Sequence, residues 1–179
     1  PSFTQSAGLP STAYPRRLIH SGLRFGAASM VYRVLTINGG SSTIKFAAFC
    51  SDGTPERILT GKVEGIGRPD ATRAATDISR TETNRIAIRA ADHREAAHAL
   101  IGWIEHWAGQ ECFQAIGHRV VHGGVRLDRH QVVTPDLIGE LRRTQPLDLA
   151  HLPREISLLE AFRERYPRVL QIAFFDTPV

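Results

Sequence analysis

The feature that most constrains this chain is a glycine-containing loop between two apolar runs. Residues 31–37 and 43–49 are rich in β-branched and aromatic side chains, and Asn38-Gly39-Gly40-Ser41-Ser42 lies between them. Such runs predict strands, and a short polar connection with glycines predicts that the strands pair as a β-hairpin. The chain therefore has to fold around an antiparallel strand pair with a polar tip.

The tip of this hairpin has the composition of a phosphate-binding loop. Its two glycines allow the backbone to approach a ligand, while Ser41 and Thr43 add hydroxyl donors. Lys45 adds a cation and Asn38 adds an amide oxygen. A Walker-type loop is excluded, because its lysine would precede the hydroxyl and its last glycine would open a helix. Two interpretations remain open, a phosphate grip that includes Gly40 and an ordinary Gly-Gly turn.

Three further segments before the first helix predict strands. Residues 56–64 follow a turn and are typical of a third strand. Residues 72–79 and 85–90 are weaker candidates that can pair as a peripheral hairpin.

The first helix is predicted between residues 92 and 109. Asp92 suits the N-cap, Glu95 completes a capping box three residues later, and Gly109 ends the helix. Apolar residues recur at helical spacing and predict one core-facing stripe: Ala97, Leu100, Ile101, Ile104 and Trp107. Three histidines lack a carboxylate or cysteine at ligand spacing and are interpreted as packed or solvated side chains: His93, His98 and His106.

A short apolar strand is predicted at residues 115–121, where it runs into a Gly-Gly loop. His118 and His122 raise a zinc interpretation, but strand residues separate them and no H-E-x-x-H glutamate is present, which favours a structural role. Arg119 is more informative, because a guanidinium among apolar residues is costly to bury unless it meets an anion. That anion is either a ligand or the carboxylate of a structural salt bridge.

Two helices are predicted in the last third of the chain. Thr134 and Pro135 form a good start for the first, and Pro153 begins the second. His151 precedes the second helix. Its side chain is either a phosphate or substrate contact or a structural loop residue.

The last strand, residues 169–175, is almost wholly apolar, which predicts that both of its faces are covered. Asp176 follows directly. Open α/β sheets bind their ligands at the carboxyl ends of strands, and an aspartate there can bind Mg²⁺ or take a proton in phosphoryl transfer.

Composition excludes several classes of function. The 179 residues are 42% hydrophobic and 22% charged, which suits a globular chain of about one domain, and no apolar run reaches the length of a membrane helix. The net charge of +4 arises largely from residues 1–29, which contain three arginines and no acid, and clustered basic residues that would bind nucleic acid are absent from the remainder. Cys50 and Cys112 stand apart without ligand spacing, which fits a reducing cytoplasm.

Residues 1–29 are predicted to be disordered. Their Ser, Pro, Gly and Arg content without acids is similar to that of a transit peptide, but a non-native or upstream-read extension before Met30 is the interpretation we favour. Since Val179 follows a catalytic-looking strand end so closely, the chain is expected to be part of a longer protein.

Three motifs, in this order, give the chain a resemblance to the acetate kinase family, which belongs to the wider group of actin-like, sugar-kinase and heat-shock ATPase folds. They are Val34-Leu35-Thr36-Ile37-Asn38-Gly39-Gly40-Ser41-Ser42-Thr43-Ile44-Lys45-Phe46, Gly117-His118-Arg119-Val120-Val121-His122-Gly123-Gly124 and Phe174-Phe175-Asp176-Thr177-Pro178. The resemblance implies an α/β fold of the ribonuclease H-like or actin-like ATPase type, with a mixed sheet flanked by helices. It also implies that residues 30–179 form the N-terminal domain, truncated before the second.

The resemblance implies roles at matching positions. Asn38 would help to hold Mg²⁺, while the loop residues would lie against ATP and the transferring phosphate: Gly40, Ser41, Thr43 and Lys45. Arg119 would bind the acetate carboxylate and stabilise the phosphoryl group in flight. Asp176 would be the catalytic acid or base, and His151 would be a substrate contact.

The resemblance implies an acetate kinase that makes acetyl phosphate from acetate and ATP with Mg²⁺, acting as a homodimer through a domain beyond Val179. Propionate or butyrate as the substrate, and a catalytically inactive truncated chain, are the alternatives. One departure concerns His151-Leu152-Pro153, where the family has His-Asn-Pro, so a polar contact is lost beside His151.

Overall fold

The computed structural model folds the described part of the chain into one mixed sheet with helices packed against it. It describes residues 32–78, 80–109, 112–121, 129–144, 146 and 151–176. Within these residues the strands are β1 (Tyr32–Gly39), β2 (Thr43–Ser51), β3 (Pro55–Glu64), β4 (Thr72–Asp77), β5 (Glu82–Ala87), β6 (Ala115–Val120), β7 (Gln131–Val132) and β8 (Leu170–Phe175). The helices are α1 (His93–Ala108), α2 (Pro135–Thr144) and α3 (Leu152–Arg165).

The sheet has the order β5-β4-β3-β2-β1-β6-β8-β7. Strands β1 to β5 form an antiparallel series, whereas β1, β6 and β8 run parallel to one another and β7 is antiparallel to β8. The predicted hairpin is confirmed, since Asn38 pairs with Lys45 and Gly39 with Ile44 next to its tip. The predicted third strand and the pairing of the peripheral hairpin are confirmed as well, although β5 begins and ends three residues earlier than predicted.

The helix starts follow the local signals in the sequence. The Glu95 amide donates to Asp92 Oδ1 at 2.8 Å, and the Glu95 carboxylate accepts in return from the Ala91 amide at 2.9 Å. The Leu137 amide donates to Thr134 Oγ1 at 3.1 Å. These side chains satisfy amide groups that have no partner inside the helix, and so they define where α1 and α2 begin.

One face of the sheet carries the core. Alternate strand residues such as Leu35, Ile44, Leu59 and Ile116 are fully buried and pack against α1 and α3. A second cluster joins α2 and α3 to the ends of β6 and β8. Because side chains alternate along a strand, the intervening residues point to the other face, which no described helix covers. We call the two sides the covered face and the open face.

The prediction that both faces of the last strand are covered was wrong within the described residues. In β8, Gln171, Ala173 and Phe175 are buried, but Leu170 and Phe174 on the open face are 47% and 41% exposed. An apolar sequence shows which residue types a strand contains. It does not show whether other elements pack on one face of the strand or on both.

The sequence analysis did not predict β7, which is only two residues long and pairs with β8 through backbone groups. Residues 1–29 lie outside the described residues, as do His122, Gly123 and Gly124 of the second motif and Thr177 and Pro178 of the third.

Candidate phosphate- and carboxylate-binding site

Three predicted site residues meet because three parallel strands end at the same edge of the sheet. Asn38 in β1 is the register partner of Arg119 in β6. Asp176 directly follows β8, the other neighbour of β6, and its amide donates to the Val120 carbonyl at 3.2 Å. The fold therefore brings together residues that are 57 and 81 positions apart in the sequence. We call this edge the carboxyl edge.

Arg119 is the centre of this group. Its Nε donates to Asp176 Oδ1 at 3.0 Å, and its Nη2 donates to Asp176 Oδ2, which makes the pair bidentate. Its Nη1 donates to Asn38 Oδ1 at 3.2 Å. The planar fork of a guanidinium suits a carboxylate in this way, so Arg119 is already arranged to bind such a group.

The ion pair of Arg119 and Asp176 is open to solvent. The two side chains are 45% and 36% exposed. Water screens charges at such positions, and exposed ion pairs typically contribute about 0.2–1 kcal/mol. A ligand carboxylate or phosphate can therefore replace Asp176 on the guanidinium at small cost.

Lys45 provides a second cation beside this group. It is the register partner of Asn38, so both side chains belong to the open face. In the described part of the chain, Lys45 has neither an ion pair nor a side-chain hydrogen bond. Its ammonium group is exposed and can bind an anion without first breaking an internal contact.

A side chain at each of the two loop glycines would meet a different neighbour. A Cβ atom on Gly39 would lie 2.6 Å from Leu158 Cδ1 of α3, and one on Gly40 would lie 2.7 Å from Thr43 Oγ1. Neither glycine has a positive φ. A side chain at Gly39 would therefore require the Leu158 side chain of α3 to move on the covered face, whereas the sequence had suggested that both glycines serve ligand approach.

The N-termini of two helices also lie at the carboxyl edge. His93, the first residue of α1, has its Nε2 2.7 Å from the Gly40 carbonyl oxygen. Near the start of α3, Glu155 Oε1 accepts from the Val121 amide, which follows β6, at 3.0 Å. Helix N-termini carry partial positive charge, and the carboxylates of Asp92 and Glu155 already lie at these two N-termini.

His151 lies at the N-cap position of α3, four residues before Glu155. This places it at the same edge as Arg119, and its side chain is exposed. It makes no side-chain capping bond to its own helix. The structure therefore brings His151 to the neighbourhood of the site without a hydrogen bond to Arg119 among the described contacts.

His118 has a structural role behind the site. It is 2% exposed, and its Nε2 lies 2.9 Å from Gln171 Oε1. The amide nitrogen of Gln171 donates to the carbonyls of Phe162 and Tyr166, so its oxygen faces the ring and His118 donates through Nε2. Burial lowers the pKa of His118 to about 4, although the Gln171 bond opposes this. The neutral, internally bonded ring agrees with the structural role predicted for it.

Oxygen atoms suitable for Mg²⁺ occur at the centre of the site. Asn38 Oδ1 and the Asp176 carboxylate both lie on Arg119, and hard oxygen ligands are those that Mg²⁺ prefers. No cluster of three or more His, Cys, Asp or Glu residues suited to a metal occurs among the described residues. A magnesium ion held by few protein oxygens together with substrate phosphates fits this donor set.

The sequence did not predict that two residues on the covered side form hydrogen bonds to the backbone of the site. His93 was interpreted as packed or solvated, yet it bonds the loop, and Glu155 was not singled out although it joins α3 to the end of β6. The only local signal for His93 was its place beside the N-cap Asp92, which puts it in the first turn of α1.

Comparison with known proteins agrees with this architecture. The sequence profile of the Acetokinase family matches residues 33–179. The chain belongs to the acetokinase family. It is 35% identical over 147 residues to the acetate kinase of Rhodopseudomonas palustris strain TIE-1, a match that covers 80% of this chain and 37% of that protein.

Solved structures of acetokinase-family proteins share the fold. The acetate kinase of Porphyromonas gingivalis has a TM-score of 0.72 at 26% identity and covers 82% of this chain and 37% of its own. A propionate kinase from Francisella tularensis has a TM-score of 0.71, and at 24% identity it supports the fold alone, over 81% of this chain and 37% of its own. The described sheet and helices therefore form the α/β fold of the actin-like ATPase type that the resemblance implied.

The chain spans little more than a third of the length of the acetokinase relatives it matches. None of the helices in the described ranges is long and apolar enough to cross a membrane.

Proposed function

We propose that this chain is the phosphate- and carboxylate-binding part of an acetate kinase, which transfers the γ-phosphoryl group of ATP reversibly to acetate and yields acetyl phosphate and ADP. The observation that carries the proposal is the group of Asn38, Arg119 and Asp176 beside Lys45 at the carboxyl edge. Membership of the acetokinase family supports the same reaction class.

Arg119 binds the acetate carboxylate in this proposal. Its Nε and Nη2 donors, which now contact Asp176, have the fork geometry that a substrate carboxylate requires. The ion pair is exposed, so replacing Asp176 with a substrate carboxylate costs little free energy. In this proposal the same cation also stabilises the negative charge that builds up on the phosphoryl group in the transition state. Asp176, once released from Arg119, acts as the acid or base.

The loop holds the phosphates of ATP. Lys45 supplies a free cation, Ser41 and Thr43 supply hydroxyl donors, and Gly40 keeps the backbone close. Asn38 helps to hold Mg²⁺, which neutralises charge on the β- and γ-phosphates when bound. Because phosphoryl transfer is catalysed mainly by positioning and charge neutralisation, these groups suffice for one side of a direct in-line transfer.

Other parts of the reaction need groups beyond this chain. We assign residues 30–179 to the N-terminal domain and the adenine site to the part of the relatives that the chain does not span. The dimer contact of a homodimer is assigned to the same part. His151 lies at the edge of the half-site and is proposed to contact substrate. Two free thiols, Cys50 and Cys112, suit a cytoplasmic enzyme, and neither nucleic acid nor a membrane is proposed as a partner.

Acetate is the proposed acyl substrate, with propionate or butyrate as the alternative within the family. A second alternative is that the 179-residue chain, taken alone, is catalytically inactive.

The proposal is tested by titrating the isotope-labelled 179-residue chain with Mg-ATP. We expect the Asn38 side-chain amide and the Lys45 ammonium resonances to shift in a saturable way, while hydroxamate formation from acetate, ATP and Mg²⁺ stays at background. Unchanged resonances of both residues at millimolar Mg-ATP contradict the phosphate-binding assignment. Turnover by the chain alone contradicts the assignment of essential groups to the remaining part.

A further inference from the structure

His93 is buried directly behind the phosphate-binding loop. The residue is 6% exposed, and its Nε2 lies 2.7 Å from the Gly40 carbonyl oxygen. A carbonyl oxygen only accepts hydrogen bonds, so the ring carries its hydrogen on Nε2 and donates it. This bond links the first turn of α1 to the loop, across 53 residues of sequence.

The direction of this bond determines which way the next peptide group faces. His93 belongs to the buried stripe of α1, together with Ala96, Ala97 and Leu100, and this stripe packs on the covered face. The Gly40 carbonyl therefore points to the covered side. None of the described peptide bonds is cis, and in a trans peptide the N–H points opposite to the C=O. The Ser41 N–H consequently faces away from α1.

The open face on that opposite side carries the two polar side chains of the hairpin, Asn38 and Lys45. A backbone N–H directed there is a donor of the kind that phosphate-binding loops use. The loop keeps its own shape through a second bond, since the Gly40 amide donates to the Thr43 carbonyl at 2.7 Å. His93 thus supplies the one described contact that holds the Gly40 carbonyl and, with it, the Ser41 amide.

We propose that His93 is a positioning residue that turns the Ser41 amide towards the phosphates of ATP. This inference rests on the proposed function, because it assigns a ligand to the loop. It differs from a purely structural role of His93, in which the ring would fill space under the loop and its hydrogen bond would not affect ligand binding.

The surroundings of the ring favour its neutral form. Burial lowers the pKa of His93, and the positive charge of Arg154 on α3 also lowers it, whereas the Gly40 carbonyl and Asp92 raise it. A neutral ring donates to the carbonyl without placing a buried charge next to the loop. The position can therefore be tested with neutral side chains.

The test compares three variants of the 179-residue chain. His93→Leu keeps the buried volume roughly but removes the donor, His93→Gln keeps a nitrogen donor, and His98→Leu changes an exposed histidine of the same helix. Each is titrated with Mg-ATP, and the backbone amide resonances of the loop are followed. For His93→Leu we expect the Ser41 response to be lost and Kd to rise about tenfold, the effect of one lost hydrogen bond. His93→Gln should stay within about threefold of the parent chain, and His98→Leu should equal it.

Two outcomes separate this inference from the proposed function. When Asn38 and Lys45 respond to Mg-ATP but His93→Leu gives the same Kd and the same Ser41 shift as the parent chain, the inference fails and the proposed function stands. When no loop resonance of the parent chain responds, both are overturned.

A measurement on the unaltered chain covers the case in which His93→Leu does not fold. The nitrogen shifts of the His93 ring identify its tautomer. Hydrogen on Nε2 with slow solvent exchange supports the inference, and hydrogen on Nδ1 alone overturns it, because the Gly40 carbonyl would then have no donor from this ring.

Discussion

Arg119 and Asp176, the two residues expected to catalyse phosphoryl transfer, form a bidentate ion pair with each other at the ends of neighbouring parallel strands. In the proposed function, a substrate carboxylate would take the position on Arg119 that Asp176 now occupies. The pair keeps the guanidinium oriented. Because it is half exposed, a ligand can break it at little cost in free energy.

Replacing Arg119 is expected to remove activity without unfolding the protein. We consider a chimera in which residues 33–179 replace the matching segment of the Rhodopseudomonas palustris acetate kinase. Arg119→Ala should lower its turnover by about 10²- to 10³-fold, as for the loss of one transition-state donor. Its unfolding midpoint should change little, because the ion pair is exposed. Hydroxamate formation and thermal unfolding measure the two quantities.

Arg142→Ala serves as the matched control, because Arg142 forms an exposed pair with Glu160 between α2 and α3, away from the loop. It should leave turnover unchanged. A near-normal rate for Arg119→Ala would refute the role assigned to this residue.

Neutralising Asp176 should free Arg119 for other anions. In the 179-residue chain, Asp176→Asn is expected to bind inorganic phosphate about fivefold more tightly, which corresponds to an exposed ion pair of about 1 kcal/mol. This binding is measured from the shift of the Arg119 Nε–H resonance during a titration with phosphate. Asp136→Asn, at the exposed start of α2, changes the net charge equally and should have no such effect. Weaker phosphate binding by Asp176→Asn would show that the carboxylate does not compete with ligands.

Adding a methyl group to Gly39 should destabilise the fold. The Cβ of Gly39→Ala would lie 2.6 Å from Leu158 Cδ1, and such overpacking costs about 1 kcal/mol in the free energy of unfolding, at the low end of the usual range because the contacted atom is the end of a flexible side chain. Urea denaturation measures it. The double variant Gly39→Ala/Leu158→Ala should lose less stability than the sum of the losses in the two single variants. Shortening Leu158 removes the atom that the new Cβ would meet, and the new Cβ fills part of the space that Leu158 leaves.

The control for this series is Gly139→Ala in α2, where a Cβ meets no atom within 4 Å and a gain of about 0.5–1 kcal/mol is expected. A Gly39→Ala variant as stable as the parent chain would show that packing on α3 does not require this glycine.

The free energy of unfolding should decrease as the pH is lowered, because His118 is buried and neutral. Its pKa of about 4 lies below the ordinary 6.5, so the unfolded chain takes up the proton first as the pH falls. The free energy of unfolding should decrease from about pH 6.5 towards about pH 4, with a loss of about 2 kcal/mol between pH 7 and pH 5. His118→Leu should reduce this slope, and His98→Leu should keep it. An unchanged slope in His118→Leu would assign the pH dependence to other groups.

The sequence was sufficient to predict features that depend on neighbouring residues. The hairpin around Gly40 follows from apolar runs and glycines, and the start of α1 follows from Asp92 and Glu95 at capping spacing. The strand ends at Arg119 and Asp176 were also located, because glycines or a polar residue follow the apolar residues of the strand.

Features that depend on distant pairing were not predictable in the same way. The sequence left open whether Arg119 binds a ligand or a salt-bridge partner, and only the parallel order of β1, β6 and β8 identifies Asp176 as that partner. The bond from His93 to Gly40 depends on how α1 packs over the sheet. The open face of β8 depends on layers of structure that strand composition does not encode.

The central claim is that the carboxyl edge of this chain binds the phosphates of ATP and a short carboxylate for phosphoryl transfer. The most direct measurement is the hydroxamate rate of the chimera with acetate, propionate or butyrate, ATP and Mg²⁺. We predict turnover well above background with acetate as the best substrate, and loss of that turnover in Arg119→Ala. A folded chimera that binds Mg-ATP but forms no acyl phosphate from any of the three acids would contradict the claim.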